Sequence, residues 1–192
     1  MRLWIAIKMI CVLTILTGII YPFLIFAIGQ FMFPVQANGS LVARDRTVVG
    51  SALIGQNFAG PKYFHGRPSA AGDKGYDATA SGGSNLGPTS KSLIDTVRSR
   101  VKDVLAQNPG TSASQVPIDM VTASGSGLDP EISPAAAELQ IPRVAKARGL
   151  SEDRVRTLVS ALIRPRWAGI FGEPRINVLQ LNITIDQLGN RG

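Results

Sequence analysis

MICVLTILTGIIYPFLIFAIG, residues 9–29, is the stretch that decides the architecture of this chain, and it carries no charged side chain. A helix of this length spans about 30 Å, which matches the hydrocarbon core of a bilayer. Its Ile, Leu, Val and Phe side chains favour membrane insertion, and Pro22 is expected to kink the helix. The sequence therefore predicts one transmembrane helix over residues 9–30.

A cleaved signal peptide and a lipoprotein anchor are the alternatives to a permanent span. The VQA string at residues 35–37 loosely resembles a cleavage site. However, the apolar run exceeds the roughly 7–15 residues of a signal-peptide core, and the bulky residues 31–34 separate it from that string. Cys11 lies inside the run rather than at its end, which disfavours lipidation. A permanent anchor fits the pattern best.

Charge on either side of the apolar run indicates its orientation. Arg2 and Lys8 precede the run, whereas no basic residue follows it before Arg44. Positive charge close to a membrane favours retention of that end in the cytoplasm. We expect residues 1–8 to form a short cytoplasmic tail and residues 31–192 to form one extracytoplasmic domain.

Composition restricts the classes of function. The chain has 192 residues, 20 Lys and Arg against 13 Asp and Glu, and a formal net charge of +7. The basic residues are scattered without interleaved aromatics, so nucleic-acid binding is not predicted. A surface near anionic membrane lipid or an acidic partner is favoured instead. The single cysteine lies in the apolar run, so the domain is expected to have no disulfide.

Turn and cap signals outside the membrane helix predict a mixed α+β domain with long ordered loops rich in glycine and proline. Periodicity leaves open whether residues 179–188 form a strand or a helix. The predicted strands are 41–42 and 47–49, as a hairpin, then 116–121 and a last one beginning at 176. The predicted helices follow N-caps at Ser90, Ser133 and Ser151, with Pro142 breaking or kinking the second of them and Gly149 ending it.

The segment 50–89 is the least regular part of the predicted domain. Its many glycines and prolines forbid a regular helix, yet Phe58, Tyr63 and Phe64 make it too apolar for a free linker. Long irregular segments with aromatic anchors are usually packed, functional loops. We therefore expect this segment to be ordered and to carry function.

No catalytic or metal-binding constellation is evident in the predicted domain. His65 is the only histidine and is interpreted as a hydrogen-bonded structural residue, with no second nitrogen ligand to help it hold a metal. Residues 55–62 resemble a P-loop motif, but Pro61 lacks a backbone donor and Lys62 comes one position too late for the motif. The SGGSN turn at residues 81–85 could form a backbone nest for an anion, although a plain surface turn is the simpler interpretation.

Three long strings resemble the C subunits of bacterial Kdp potassium-transporting ATPases. They are GSALIGQNFAGPKYFHGRPSA at residues 50–70, ASGGSNLGPTS at 80–90 and VTASGSGLDPEISPAAAELQIPRVAKARGL at 121–150. The resemblance covers nearly the whole chain. It implies a non-catalytic, single-span subunit of the bacterial inner membrane. Its implied partners are a channel-like subunit that selects potassium, a P-type ATPase subunit that hydrolyses ATP, and a small peptide subunit.

The resemblance implies two possible roles. In one, the subunit is a catalytic chaperone that raises the ATP affinity of the ATPase subunit. Gln140 would then touch nucleotide, helped by Ser81, Gly82, Gly83, Ser84 and Asn85. In the other, the subunit stabilises the assembly from outside the membrane. No cofactor of its own is expected, and ATP would enter through the ATPase subunit.

Physical reasoning favours the assembly role, because ATP is cytosolic and the predicted orientation places Gln140 outside. In that role the 50–89 loops would dock on the channel-like subunit. Two rivals remain open: an anchored extracytoplasmic hydrolase that uses Ser99 and Lys102, and an anion-binding protein that uses the glycine-rich loops. The residues predicted to dock are Phe58, Tyr63, Phe64, His65 and Arg67.

Overall fold

A computed structural model describes residues 2–44 and 46–189 of the chain. The chain forms two compact units, the first ending at Ser51 and the second beginning at Ala52. The first unit carries the apolar helix and a hairpin, and the second carries longer helices, short 3-10 turns and short strands. One apolar helix and a mixed set of helices and small sheets agree with the predicted α+β class.

The apolar helix is continuous from Arg2 to Met32 and is long and apolar enough to cross a membrane. It comprises α1 (Arg2–Ile15), a π-helical segment (Leu16–Ile20) and α2 (Tyr21–Met32). Pro22 cannot donate a backbone hydrogen bond, and the wide turn directly before it lets the helix continue. The helix thus starts seven residues before the predicted span, whose first residue is Met9.

The rest of the first unit is a single helical turn, α3 (Pro34–Ala37), followed by an antiparallel hairpin. Strand β1 (Leu41–Arg44) pairs with β2 (Thr47–Ser51), and a bulge falls between Val42 and Ala43. The hairpin confirms the sequence prediction.

Helices of the second unit begin at the predicted serine caps, whose hydroxyl oxygens accept hydrogen bonds from the first helical turn. Gly149 ends the second of these helices with φ of +65°, as expected of a glycine C-cap. That helix runs through Pro142 without a break, so a break at this residue was a wrong prediction, and the kink that was its alternative stays a prediction; Ile141 and Val144 beside it are fully buried. The helices are α4 (Lys91–Gln107), α5 (Pro134–Arg148) and α6 (Glu152–Leu162).

A strand predicted over residues 116–121 is absent from the described part of the chain. Two 3-10 turns, Ala113–Gln115 and Ile118–Met120, occupy this region instead. Pro117 between them lacks a backbone donor and adopts the extended conformation of an N-cap, which starts the second turn. The hydrophobic run therefore packs as turns.

The last element of the described residues is a helix rather than a long strand. Strand β3 (Glu131–Ile132) pairs with β4 (Ile176–Asn177), and α7 (Val178–Gly189) follows at once. The helical alternative for residues 179–188 is therefore the correct one. Leu181 and Ile185 are fully buried on one face of α7.

The core of the second unit lies between α5, α6, α7 and the segment that contains Phe64. Each large apolar side chain contributes about 1.5–3 kcal/mol when it is fully buried. The largest fully buried side chains are Phe64, Ile141, Ile176, Leu181, Ile185, Gln140, Val144, Val155, Val159 and Asn182.

The segment 52–89 contains no helix or strand but is held against residues 121–130 by backbone contacts. The Gly55 N–H donates to the Leu128 carbonyl at 2.7 Å, and the Gly82 N–H donates to the Ser126 carbonyl at 2.9 Å. Gly127 has φ of +67°, and a Cβ there would lie 2.7 Å from both Ala71 N and the Gly82 carbonyl oxygen. Only glycine fits this close approach without a shift of the backbone.

Candidate functional site

Gln140, the residue that the resemblance connects to nucleotide, is fully buried on α5. Its amide oxygen accepts hydrogen bonds from the His65 N–H and from Arg143 Nη2, both at 2.7 Å. Its amide nitrogen donates to the Ala136 carbonyl at 3.0 Å and to the His65 carbonyl at 3.2 Å. The side chain thus pairs the main chain of the irregular segment with α5, and both ends of its amide are satisfied.

Arg143 extends this connection one turn further along α5. Its Nη1 donates to the carbonyls of Pro61 at 2.7 Å and Tyr63 at 3.0 Å. Burial lowers the pKa of the Arg143 guanidinium to about 10, so it remains charged at neutral pH. Charged donors make stronger hydrogen bonds than neutral ones, and these fix the backbone of residues 61–65.

Asn182 performs the same task from the other side of the segment. Its Oδ1 accepts from the Phe64 N–H at 2.8 Å, and its Nδ2 donates to the Phe64 carbonyl at 2.9 Å. Asn182 and Gln140 therefore replace a strand partner for two successive residues, Phe64 and His65. Buried main-chain groups are rarely left unpaired, and here two side-chain amides supply the pairing.

The 81–85 turn lies elsewhere, against residues 124–126. Ser81 Oγ donates to the Ser126 carbonyl at 3.1 Å, and a Cβ on Gly83 would lie 3.1 Å from the Gly125 carbonyl oxygen. The Gly82 N–H, a donor that an anion nest would need, is already bonded to that same Ser126 carbonyl. Ser84 and Asn85 are exposed. The described hydrogen bonds do not connect this turn with Gln140.

The five residues predicted to dock are mostly engaged within the domain. Phe64 is fully buried, so its side chain supports the core rather than a surface. Phe58 and Tyr63 are half-buried, and their rings contact each other at a tilt of 51° with centroids 5.6 Å apart. Arg67 Nη1 pairs with Asp129 Oδ2 at 3.1 Å. Of the five, the side chains that are partly exposed and so remain available for a partner are those of Phe58, Tyr63, His65 and Arg67.

His65 behaves as the structural histidine that the sequence predicts. Its Nε2 lies 3.1 Å from the Gly60 carbonyl oxygen. Burial lowers the pKa of the imidazole, and the nearby Arg143 charge lowers it further. Among the described residues no group of three or more His, Cys, Asp or Glu side chains could hold a metal ion.

A polar cleft of about 480 Å³ opens beside His65 and Arg67. Arg100 on α4 lines it, with Nη1 donating to the Val121 carbonyl at 3.1 Å, and burial lowers the pKa of this guanidinium. The cleft also contains acidic Asp73 and Asp103. With Arg67 and Lys74 also in its lining, the cleft carries side chains of both charges.

Sequence reasoning missed a cluster of exposed apolar side chains in the second unit. Trp167, Ile170 and Phe171 lie at the end of a narrow hairpin and are 72%, 73% and 61% exposed. The signal in the sequence is WAGIF between Pro165 and Pro174. Periodicity does not distinguish such a group from a short buried strand.

Comparison with known proteins identifies the family. The family model described as "KdpC: K+-transporting ATPase, c chain" matches residues 3–187. A protein from Gemmatimonas aurantiaca named "Potassium-transporting ATPase KdpC subunit" is 56% identical over 183 residues, covering 95% of this chain and 91% of its own.

Two further relatives carry the same name. The protein from Janthinobacterium is 51% identical over 182 residues, covering 95% of this chain and 96% of its own. The protein from Polaromonas naphthalenivorans is 52% identical over 183 residues, covering 95% of this chain and 93% of its own. The match of a family model over residues 3–187 and these identities show that the chain belongs to the KdpC family, the c chain of the K+-transporting ATPase.

Proposed function

We propose that this chain is a non-catalytic accessory subunit that stabilises the assembly of a potassium-transporting ATPase. Its helix spans the bacterial inner membrane once, and its domain lies outside the cytoplasm. Its partners are the channel-like subunit, the P-type ATPase subunit and the small peptide subunit. The chain supports ATP hydrolysis by the ATPase subunit without taking part in the phosphoryl transfer.

The burial of Gln140 is the observation that carries this proposal. To reach a nucleotide, the amide would have to leave the His65 main chain and Arg143, and it would strand those buried groups without partners. Each unpaired buried group costs about 1–3 kcal/mol. A structural role for Gln140 accounts for its burial and its hydrogen bonds without that energetic cost.

The apolar helix supports a role in assembly. None of its residues from Arg2 to Met32 is buried within the chain. Its surface is therefore available to lipid and to helices of other subunits. A Cβ added at Gly18 would meet no atom within 4 Å, so a partner helix could approach closely there.

The test compares Gln140→Ala with Gln187→Ala, a control on the exposed side of α7. Each variant is expressed with the other subunits, and the complex is isolated through a tag on the ATPase subunit. We expect Gln140→Ala to reduce recovery of the complex, while assembled complexes keep the wild-type ATP concentration for half-maximal hydrolysis. Full recovery with a raised ATP requirement would instead support the chaperone role.

Topology is tested separately with a single cysteine. Lys146 is exposed on α5, close in sequence to Gln140, and Cys11→Ser removes the native thiol. We expect Lys146→Cys in this background to react with a membrane-impermeant thiol reagent in intact spheroplasts. Protection before lysis and labelling after it would reverse the proposed orientation and make direct contact with cytosolic ATP feasible.

A further inference from the structure

The narrow hairpin at residues 164–175, here called the aromatic hairpin, presents apolar side chains to solvent. Arg164 and Arg175 exchange two backbone hydrogen bonds at its base, at 2.8 and 3.0 Å. Trp167 and Phe171 exchange two more near its end, at 2.9 and 3.0 Å, and their ring centroids lie 5.6 Å apart. Backbone hydrogen bonds therefore fix the hairpin both at its base and near its end.

The turn of the aromatic hairpin keeps this arrangement in place. Ala168 and Gly169 adopt φ of +51° and +75°, and the Gly169 N–H donates to the Arg166 carbonyl at 3.1 Å. Ile170 follows directly and is 73% exposed. Two aromatic rings and a branched aliphatic side chain are thus held outward on a defined turn, so little conformational entropy is lost when they are buried by a partner.

Charges around the aromatic hairpin indicate what kind of partner it fits. Arg166 pairs with Glu173 at 2.7 Å, and Arg175 pairs with Glu131 at 2.7 Å. Residues 164–175 contain no lysine. Segments that bind anionic lipid carry clusters of Lys and Arg available to the headgroups, whereas protein interfaces are enriched in Trp, Phe and Arg and depleted in Lys.

We propose that the aromatic hairpin docks into an apolar pocket on another subunit of the same ATPase, with Trp167 and Phe171 as the anchors. The partner is a protein surface with a concave apolar centre that covers these two rings. The inference rests on the proposed function, since it names the surface through which the accessory subunit holds its complex. It replaces the 50–89 loops, which are largely engaged within the domain, as the main docking surface.

The experiment measures how well each full-length variant displaces a labelled wild-type chain from the assembled complex in lipid nanodiscs. The variants are Trp167→Ala and Phe171→Ala, and the control is Leu86→Ala, which truncates an exposed apolar side chain in the 52–89 segment. We expect Trp167→Ala to weaken binding by about 30-fold or more, as for truncation of an interface anchor, and Leu86→Ala to change it by less than about twofold. The thermal stability of the free variants should match the wild type, because the removed side chains are exposed.

A crosslinking measurement identifies the partner. Ile170→p-benzoylphenylalanine in the assembled complex should give an adduct with another subunit after irradiation. An adduct with lipid alone, an adduct with a second copy of this chain, or equal binding of Trp167→Ala and wild type would each overturn the inference. If the wild-type chain and Trp167→Ala bind equally well, the inference about the aromatic hairpin fails and the proposed function stands. If the wild-type chain does not bind the complex at all, both the inference and the proposed function fail.

Discussion

The irregular segment 52–89 and the aromatic hairpin at 164–175 have similar compositions and opposite roles. Both are rich in glycine and proline and contain aromatic residues. The first directs Phe64 into the core, where two buried amides, Gln140 and Asn182, pair its main chain and that of His65. The second satisfies its main chain internally and leaves Trp167 and Phe171 in solvent.

The difference lies in where the backbone hydrogen bonds go. A segment without regular structure must find partners for its buried main-chain groups elsewhere in the domain, which commits its side chains to the interior. A two-level hairpin finds these partners within itself, so its side chains remain free for another molecule. Backbone pairing therefore separates a scaffold loop from a docking loop when composition does not.

Truncation of one phenylalanine from each region should show the contrast most strongly. Phe64→Ala removes a fully buried ring and should lower the free energy of unfolding by about 3–5 kcal/mol. Phe171→Ala removes a 61% exposed ring and should change it by no more than about 0.5 kcal/mol. Denaturant titration of the full chain in detergent, followed by circular dichroism, measures both; equal losses would remove the distinction.

The amide partners of the 52–89 segment give the next largest expected effect. Asn182→Ala leaves the N–H and carbonyl of Phe64 without partners and should cost about 2–4 kcal/mol of unfolding free energy. Asn57→Ala, at an exposed site of the same segment, is the matched control. The same titration applies, and a loss for Asn182→Ala no larger than that of the control would show that the pairing contributes little.

Two glycines with positive φ separate backbone strain from close packing. Gly127→Ala places a Cβ 2.7 Å from two backbone atoms, whereas Gly110→Ala, at φ of +91°, meets no atom within 4 Å. Both variants incur strain of roughly 1–2 kcal/mol, and Gly127→Ala should lose about 1 kcal/mol more, because its backbone neighbours must move. Thermal unfolding in parallel tests this order, and the reverse order would contradict the close approach of residues 71, 82 and 127.

The smallest effect is a dependence on pH through His65. Burial lowers the folded-state pKa of this imidazole below its ordinary value of 6.5, so the unfolded chain binds the proton more readily. The stabilisation from neutral His65 is fully present above about pH 6.5 and is lost as the pH falls below that value and through the lowered folded-state pKa. The melting temperature should therefore decrease between about pH 7.5 and 5.5, and His65→Gln should flatten this decrease. An unchanged slope in His65→Gln would assign the dependence to other groups.

Local signals predicted much of the fold. The uncharged run indicated the apolar helix, and the serines at 90, 133 and 151 and Gly149 set the helix ends, because caps depend on residues only a few positions away. The strand predicted over 116–121 failed because Pro117 and the surrounding contacts favour turns. The secondary structure of a short apolar run depends on its tertiary contacts, which the local sequence pattern does not reveal.

Site predictions were limited in the same way, because the contacts that form the site join residues far apart in the sequence. Gln140 lies 75 residues from His65, and nothing in the local pattern around either residue indicates their pairing. The exposure of Trp167 depends on whether another element covers the hairpin, which the sequence alone does not determine. The family resemblance located the informative strings, but the direction of each side chain required the fold.

The pairing of Phe64 with Asn182 also sets the order of events when the chain is made. The two residues are 118 positions apart, so the main chain of Phe64 has no amide partner until α7 has been synthesised. At roughly 5–20 residues per second, this interval lasts roughly 6–24 s. During that time an aromatic segment without its partners is open to chaperones and proteases, and a chain truncated before α7 would remain in that state.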